Sequence, residues 1–239
     1  MKYASVRILN LLFAITVISG IAAVTAFAQN LDPDSFGNNV KFAGEYAAGA
    51  VILDPSPTAT PPPGGETLIH LNPQPANTNF DVQDIGSFVI PKKTAKTIVY
   101  FIPVLQYSYS LHNDTGAAAS GLISFDIYYT LENAALNDPS VIDPATGMPA
   151  NGKLTNLDFA FAFRKGHTLQ PGEGDLQTLY YSRASLAGMD RSFFSSRGIP
   201  NHIIDKIYKN DTTFRVHMRG SATLVSSASA ALVLRAFSD

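Results

Sequence analysis

Asp158-Phe159-Ala160-Phe161-Ala162-Phe163-Arg164 alternates three phenylalanines with small or charged residues. In an extended chain successive side chains point to opposite faces, so a period of two sets those rings on one buried surface and the alanines on the other. Thr213 to Arg219 repeats the pattern, with Phe214, Val216 and Met218 expected inward and Arg215, His217 and Arg219 outward. Working outward, segments 85–90, 97–111, 122–131, 154–164, 213–225 and 230–237 are all rich in β-branched and aromatic residues and bounded by turn formers.

Connections between these segments follow turn chemistry. His112-Asn113-Asp114-Thr115-Gly116 reads as the turn of a hairpin, and 137–153 as a longer loop carrying two Asp-Pro steps and Asn151-Gly152. Pro103 lacks a ladder donor, so the run 98–105 is expected to be an edge strand, a bulge or two strands meeting at a bend. Ile203, Ile204, Ile207 and Tyr208 recur at helical spacing, which places one or two short helices near 190–209. Six or more strands with little helix predict a mainly β fold, an antiparallel β-sandwich of immunoglobulin-like architecture. That likeness is architectural, since the chain has neither the cysteines nor the tryptophan of true immunoglobulin domains. The ending Phe237-Ser238-Asp239 and the uneven strand spacing argue against an outer-membrane barrel.

The N-terminus points out of the cytoplasm. Lys2 and Arg7 precede a nearly unbroken apolar run over 8–27, and Ala26-Phe27-Ala28 before Gln29 has the small-x-small form of a signal-peptidase site. Residues 1–28 are therefore expected to be a signal peptide cut between Ala28 and Gln29. Because the run is close to bilayer-spanning length, retention as an N-terminal anchor is the competing reading and the one route to a membrane. The Ala-x-Ala exit has a bacterial look, and the mature protein is expected to be secreted, extracellular or periplasmic. Residues 29–52 then form a short strand-competent segment, 53–65 a stiff proline-rich linker, and 66–239 the sandwich domain.

Composition narrows the function classes. Removal of Lys2 and Arg7 with the signal takes the net charge only from -2 to -4, which gives no reason to expect nucleic acid as a partner. With Cys 0, disulfide staples, thiol catalysis and cysteine-bound metal clusters are excluded. The five histidines, at 70, 112, 167, 202 and 217, lack the spacing of a zinc site and read as surface residues. No Gly-x-Ser-x-Gly elbow and no glycine-rich phosphate loop is present.

Weaker candidates remain. Asp126, Glu132 and Asp158 lie in or beside strands and would serve a glycosidase if two carboxyls met about 5–9.5 Å apart in a pocket. Tyr107, Tyr109, Tyr180 and Tyr181 would form a sugar-stacking platform if exposed. Asn137, Asp138, Asp143 and Asn151 supply hard oxygens to one loop, making calcium the cofactor to consider, without the spacing of an EF-hand. Asn113 and Asn210 each begin an Asn-x-Thr acceptor pattern, read as turn chemistry, and Lys92, Lys93 and Lys96 as a solvated turn. The sequence thus predicts an exported, non-enzymatic surface, matrix or adhesion module whose partner is a protein or glycan at the cell surface. Residues 40–53 are a candidate for self-association by strand pairing; a carbohydrate-binding module and a secreted hydrolase are the alternatives.

Overall fold

The computed structural model describes residues 42–92, 98–183 and 187–238, and only the backbone of 42–48, 98–103, 158–161, 179–183, 187–188 and 235–238. The signal segment with its Ala28/Gln29 junction, residues 29–41, and Lys93 and Lys96 lie outside the described residues. The chain is mainly β. Its strands are β1 (Phe42–Asp54), β2 (Thr67–His70), β3 (Thr78–Ile90), β4 (Ile98–His112), β5 (Ala119–Asn133), β6 (Ile142–Asp143), β7 (Met148–Pro149), β8 (Lys153–Leu169), β9 (Gly174–Arg183), β10 (Ala187–Asp190), β11 (Thr212–Thr223) and β12 (Val225–Ser238). Two short helices, Arg191–Ser195 and Asn201–Ile207, occupy the expected region.

The strands make two large sheets and a two-stranded one. β4, β12, β1 and β2 follow one another in a six-stranded sheet, with β9 and β10 both pairing the far side of β4; β3, β11, β5 and β8 form a four-stranded sheet, and β6 pairs β7. Apart from the parallel pair β1–β2, the ladders are antiparallel. Among the described residues no ladder joins the two large sheets, so they do not close into a barrel. They share one apolar core, to which β4 contributes Leu105 and Leu111, β12 Leu232 and Leu234, β5 Ile123, Phe125 and Ile127, and β11 Phe214, Val216 and Met218. Phe214 stacks on Phe88 of β3 with centroids 5.0 Å apart. Complete burial of one such side chain contributes about 1.5–3 kcal/mol.

The decisive alternation is present in β11 and interrupted in β8. Phe163 points inward, its ring centroid 3.9 Å from that of Tyr107 and 6.3 Å from Phe125, while Ala162 is exposed. The ladder then sets Ala162 opposite Asp126 and Asp158 opposite Tyr128, so β8 spends residues 159–161 against Ile127 alone. A bulge replaces the single continuous phase expected for the three rings.

One connection and one proline differ from expectation. β4 and β5 lie in different sheets, so His112–Gly116 crosses between sheets instead of closing a hairpin. Asn113 makes the crossing possible: fully buried, it donates from Nδ2 to the carbonyls of Ala117 and Leu169 and accepts at Oδ1 from Thr115. Such a buried amide is no acceptor for a glycan. Pro103 sits in an inner strand, not an edge. It faces Leu234 on one side and on the other falls between the last β10 pair, at Phe101, and the first β9 pair, at Val104. The residues opposite Pro103 on that side, 184–186, lie outside the described residues.

β1 belongs to the six-stranded sheet, paired to β12 along its length and to β2 over Val51–Asp54. The proline-rich stretch carries the chain from the end of β1 back to β2, which runs parallel to it. It is tied down locally by the Ser56 amide donating to Asp54 Oδ1 (2.7 Å) and the Leu71 amide donating to the Asp54 carbonyl (2.9 Å).

Candidate functional site

The outward face of the four-stranded sheet gathers the densest polar chemistry among the described residues. On β11, Arg215, His217 and Arg219 alternate with the buried Val216 and Met218, which aims all three at this face. Register sets Thr130, Tyr128 and Asp126 of β5 directly opposite them, and Asp81 of β3 on the other flank of Arg219.

Each charge has a partner. Arg219 Nε donates to Asp126 Oδ2 at 2.7 Å, its Nη1 donates to Asn156 Oδ1 at 2.9 Å, and its guanidinium lies 4.8 Å over the Tyr128 ring. Arg215 grips Glu132 through Nε (2.7 Å) and Nη2 (3.4 Å), with Asp84 3.7 Å away. Hydrogen bonds to Asp126 and Glu132, above all, raise the two guanidinium pKa values. Tyr128 accepts from Gln83 and donates to Asp81 Oδ1 at 2.6 Å; burial, then that bond, pushes its hydroxyl up to about 12.

His217 is the centre of the network. It is an outward residue, as expected, yet only 3% exposed, because the Tyr128 ring stacks on it at 4.8 Å and β3 folds over its edge. Its Nδ1 accepts the backbone N–H of Asp84 (3.0 Å), so the proton of the neutral ring is on Nε2, which donates to Thr130 Oγ1 (3.0 Å). Burial lowers its pKa. A histidine that activates a hydroxyl needs the reverse wiring, accepting from the hydroxyl through one nitrogen while the other donates to an orienting group. His217 and Thr130 are therefore not wired as base and nucleophile.

The strand carboxylates are likewise engaged. Asp126 and Glu132 are six residues apart on one strand, about 20 Å at ~3.4 Å per residue, and each is held by its own arginine. Asp126 does share an open groove with Asn79, Asp81, Ser124 and Arg164. The side chain of Asp158 lies outside the described residues.

The tyrosine platform does not form from Tyr107 and Tyr109. Both are 6% exposed, facing the shared core against Phe163, and so cannot stack on a sugar. Tyr180 and Tyr181 stand in β9 opposite Tyr107 and Gln106; their side chains lie outside the described residues. The loop oxygens proposed for calcium pin the loop itself. Asp143, 3% exposed, accepts from the amides of Ala145 and Thr155 and the Thr155 hydroxyl, and Asp138 accepts from Ser140 with Lys206 Nζ 3.9 Å away. Asn137 donates to the Ala134 carbonyl, and Asn151 takes a positive φ of 47° beside Gly152. Asn137 and Asn151 meet in one open polar cleft with Glu132 and Asp211, which Asp138 and Asp143 do not line. Among the described residues no three His, Cys, Asp or Glu side chains come together as a metal-holding group.

The remaining predicted residues are scattered. His70 meets the Ser56 carbonyl, His112 pairs with Asp114 at 2.8 Å, and His167 stands 3.8 Å from Asp175 at the seam of β8 and β9. Asn210 donates to the Lys206 carbonyl, and the Lys92 amide to Asp211. The β11 alternation was the signal for the network; the part of β3 that completes it has no comparable sequence mark.

No family model matches the chain, and no curated protein matches it. Solved structures give faint matches to infectious bursal disease virus. The Gt strain matches at 7% identity over 83% of this chain and 62% of that one, with a TM-score of 0.15. The Gx strain matches at 8% over 83% and 46%, with a TM-score of 0.13. The chain spans less than two thirds of either, and so low a TM-score carries no argument.

Proposed function

We propose that this is an exported, non-enzymatic β-sandwich of immunoglobulin-like architecture, working as a cell-surface, matrix or adhesion module. One observation carries the non-enzymatic reading: the outward polar face has its chemistry used up internally, with Asp126, Glu132, Asp81 and His217 each committed to a fixed donor or acceptor. Such a face is a stiff, hydrogen-bonding surface and not a reaction centre, and the core shared by the two large sheets supports the sandwich reading. Export rests on the basic start, the apolar run and the Ala-x-Ala junction. The partner is a protein or glycan met at the surface.

The groove that joins Asp126 to Asp81 favours one second reading, a hydrolase. Two strand spacings set their backbones about 10 Å apart across Arg219, with both residues lining the one groove, and a glycosidase needs two such carboxyls facing one pocket. Purified protein added back to cells of the producing organism is expected to bind saturably, and to turn over no glycoside in a broad substrate panel. Turnover abolished by Asp126→Asn would establish the hydrolase instead.

A further inference from the structure

The edge strand β3 leaves its regular ladder over three residues. Gly86 pairs with Val216 and Val82 with Met218, so Gln83, Asp84 and Ile85 together stand against His217 alone. Asp84 takes a positive φ of 55°, in the left-handed region that is uncommon for a residue other than glycine. The bulge is held from two sides. Outside, the Asp84 amide donates to Nδ1 of the buried His217. Inside, the Ile85 carbonyl presses on β1, where a Cβ added at Gly49 would fall 2.0 Å from it.

An imidazole accepts a hydrogen bond at Nδ1 only while that nitrogen is unprotonated. We propose that His217 is a proton-operated clamp: neutral, it fixes the β3 bulge, and protonated, it releases Asp84 and with it the packing of Ile85 on Gly49 of β1. The groups facing the ring are known from each neighbouring strand. Asp81 and Asp84 of β3 favour the charged ring, Arg215 opposes it, and burial opposes it more strongly. Tyr128 and Thr130 of β5 supply a ring face and a hydroxyl, while Arg219, Asp126 and Glu132 are satisfied in their own pairs. The clamp is independent of the surface-module reading, because it concerns one hydrogen bond and the strand behind it.

Residue-resolved hydrogen exchange on the purified protein across pH 7.5–4.5, corrected for intrinsic rates, tests it alongside an NMR titration of the His217 ring. Protection of the Asp84 and Gly49 amides is expected to fall about tenfold per pH unit below the ring's own midpoint, while amides of β5 stay protected. In His217→Gln, whose amide has an acceptor and a donor but takes up no proton, protection is expected to persist through that range. Protection at Asp84 that ignores pH, that is lost together with β5, or that falls identically in His217→Gln overturns the clamp.

Discussion

A glycine and a tyrosine show how closely single atoms set this structure. Gly49 lies inside β1 where the Ile85 carbonyl approaches too near for any side chain, so Gly49→Ala is expected to push β1 and β3 apart. Overpacking of this kind costs about 1–3 kcal/mol, read as a lower denaturant midpoint with unchanged m-value; an unaltered midpoint would show that the bulge yields freely. Tyr128 is held in its neutral form between Gln83 and Asp81. Its folded pKa of about 12 lies above the unfolded value near 10, so its contribution to stability is complete below pH 10 and lost as pH rises toward 12. Tyr128→Phe is expected to cost about 1–2 kcal/mol at neutral pH and to remove that alkaline loss, which urea titrations at pH 8 and 11 would compare. Neither residue announces itself in the sequence. Gly49 reads as one small residue among alanines, and Tyr128 gains its role only because the register of β11 brings His217 and Arg219 beside it.

At the scale of the element, strands that obey the period of two were the legible ones. β11 follows from its own residues and β8 over 154–164, though β8 runs on to Leu169, and the two short helices follow from the spacing of Ile203, Ile204 and Ile207, all buried. What a local pattern does not carry is the partner. The stretch 112–116 reverses the chain but closes no hairpin, because the strands it joins, β4 and β5, lie in different sheets. β9 escaped notice because its strand character depends on pairing with β4. Edges are guarded by irregularity: β3, β8 and β9 each break register, and β2 is four residues long. β1 also breaks register, between Gly44 and Ala47, but its removal would bare one side of β12 along its length. Deleting residues 29–64 is expected to leave a chain that aggregates or unfolds, with loss of the cooperative melt. A monomer with an unchanged melting temperature would contradict this and mean that β1 is an accessory, free to pair with a neighbouring copy.

For the molecule as a whole, stability must come from the apolar core, since no disulfide exists and the loop carboxylates already accept hydroxyl hydrogen bonds, Asp138 from Ser140 and Asp143 from Thr155. Excess chelator is accordingly expected to leave the melting temperature within about 1 °C; a clear drop would restore calcium to the 137–151 loop. Acid acts through His217. Its folded pKa lies below the unfolded value near 6.5, so the stability it contributes is complete above that pH and lost as pH falls through the lower folded value. We propose a protein that leaves the cytoplasm and works through a finished surface. Intact mass on the chain recovered from outside the cytoplasm tests it most directly. The expected species begins at Gln29, having lost residues 1–28. A chain found only in the cytoplasm with Met1 to Ala28 still attached would contradict it.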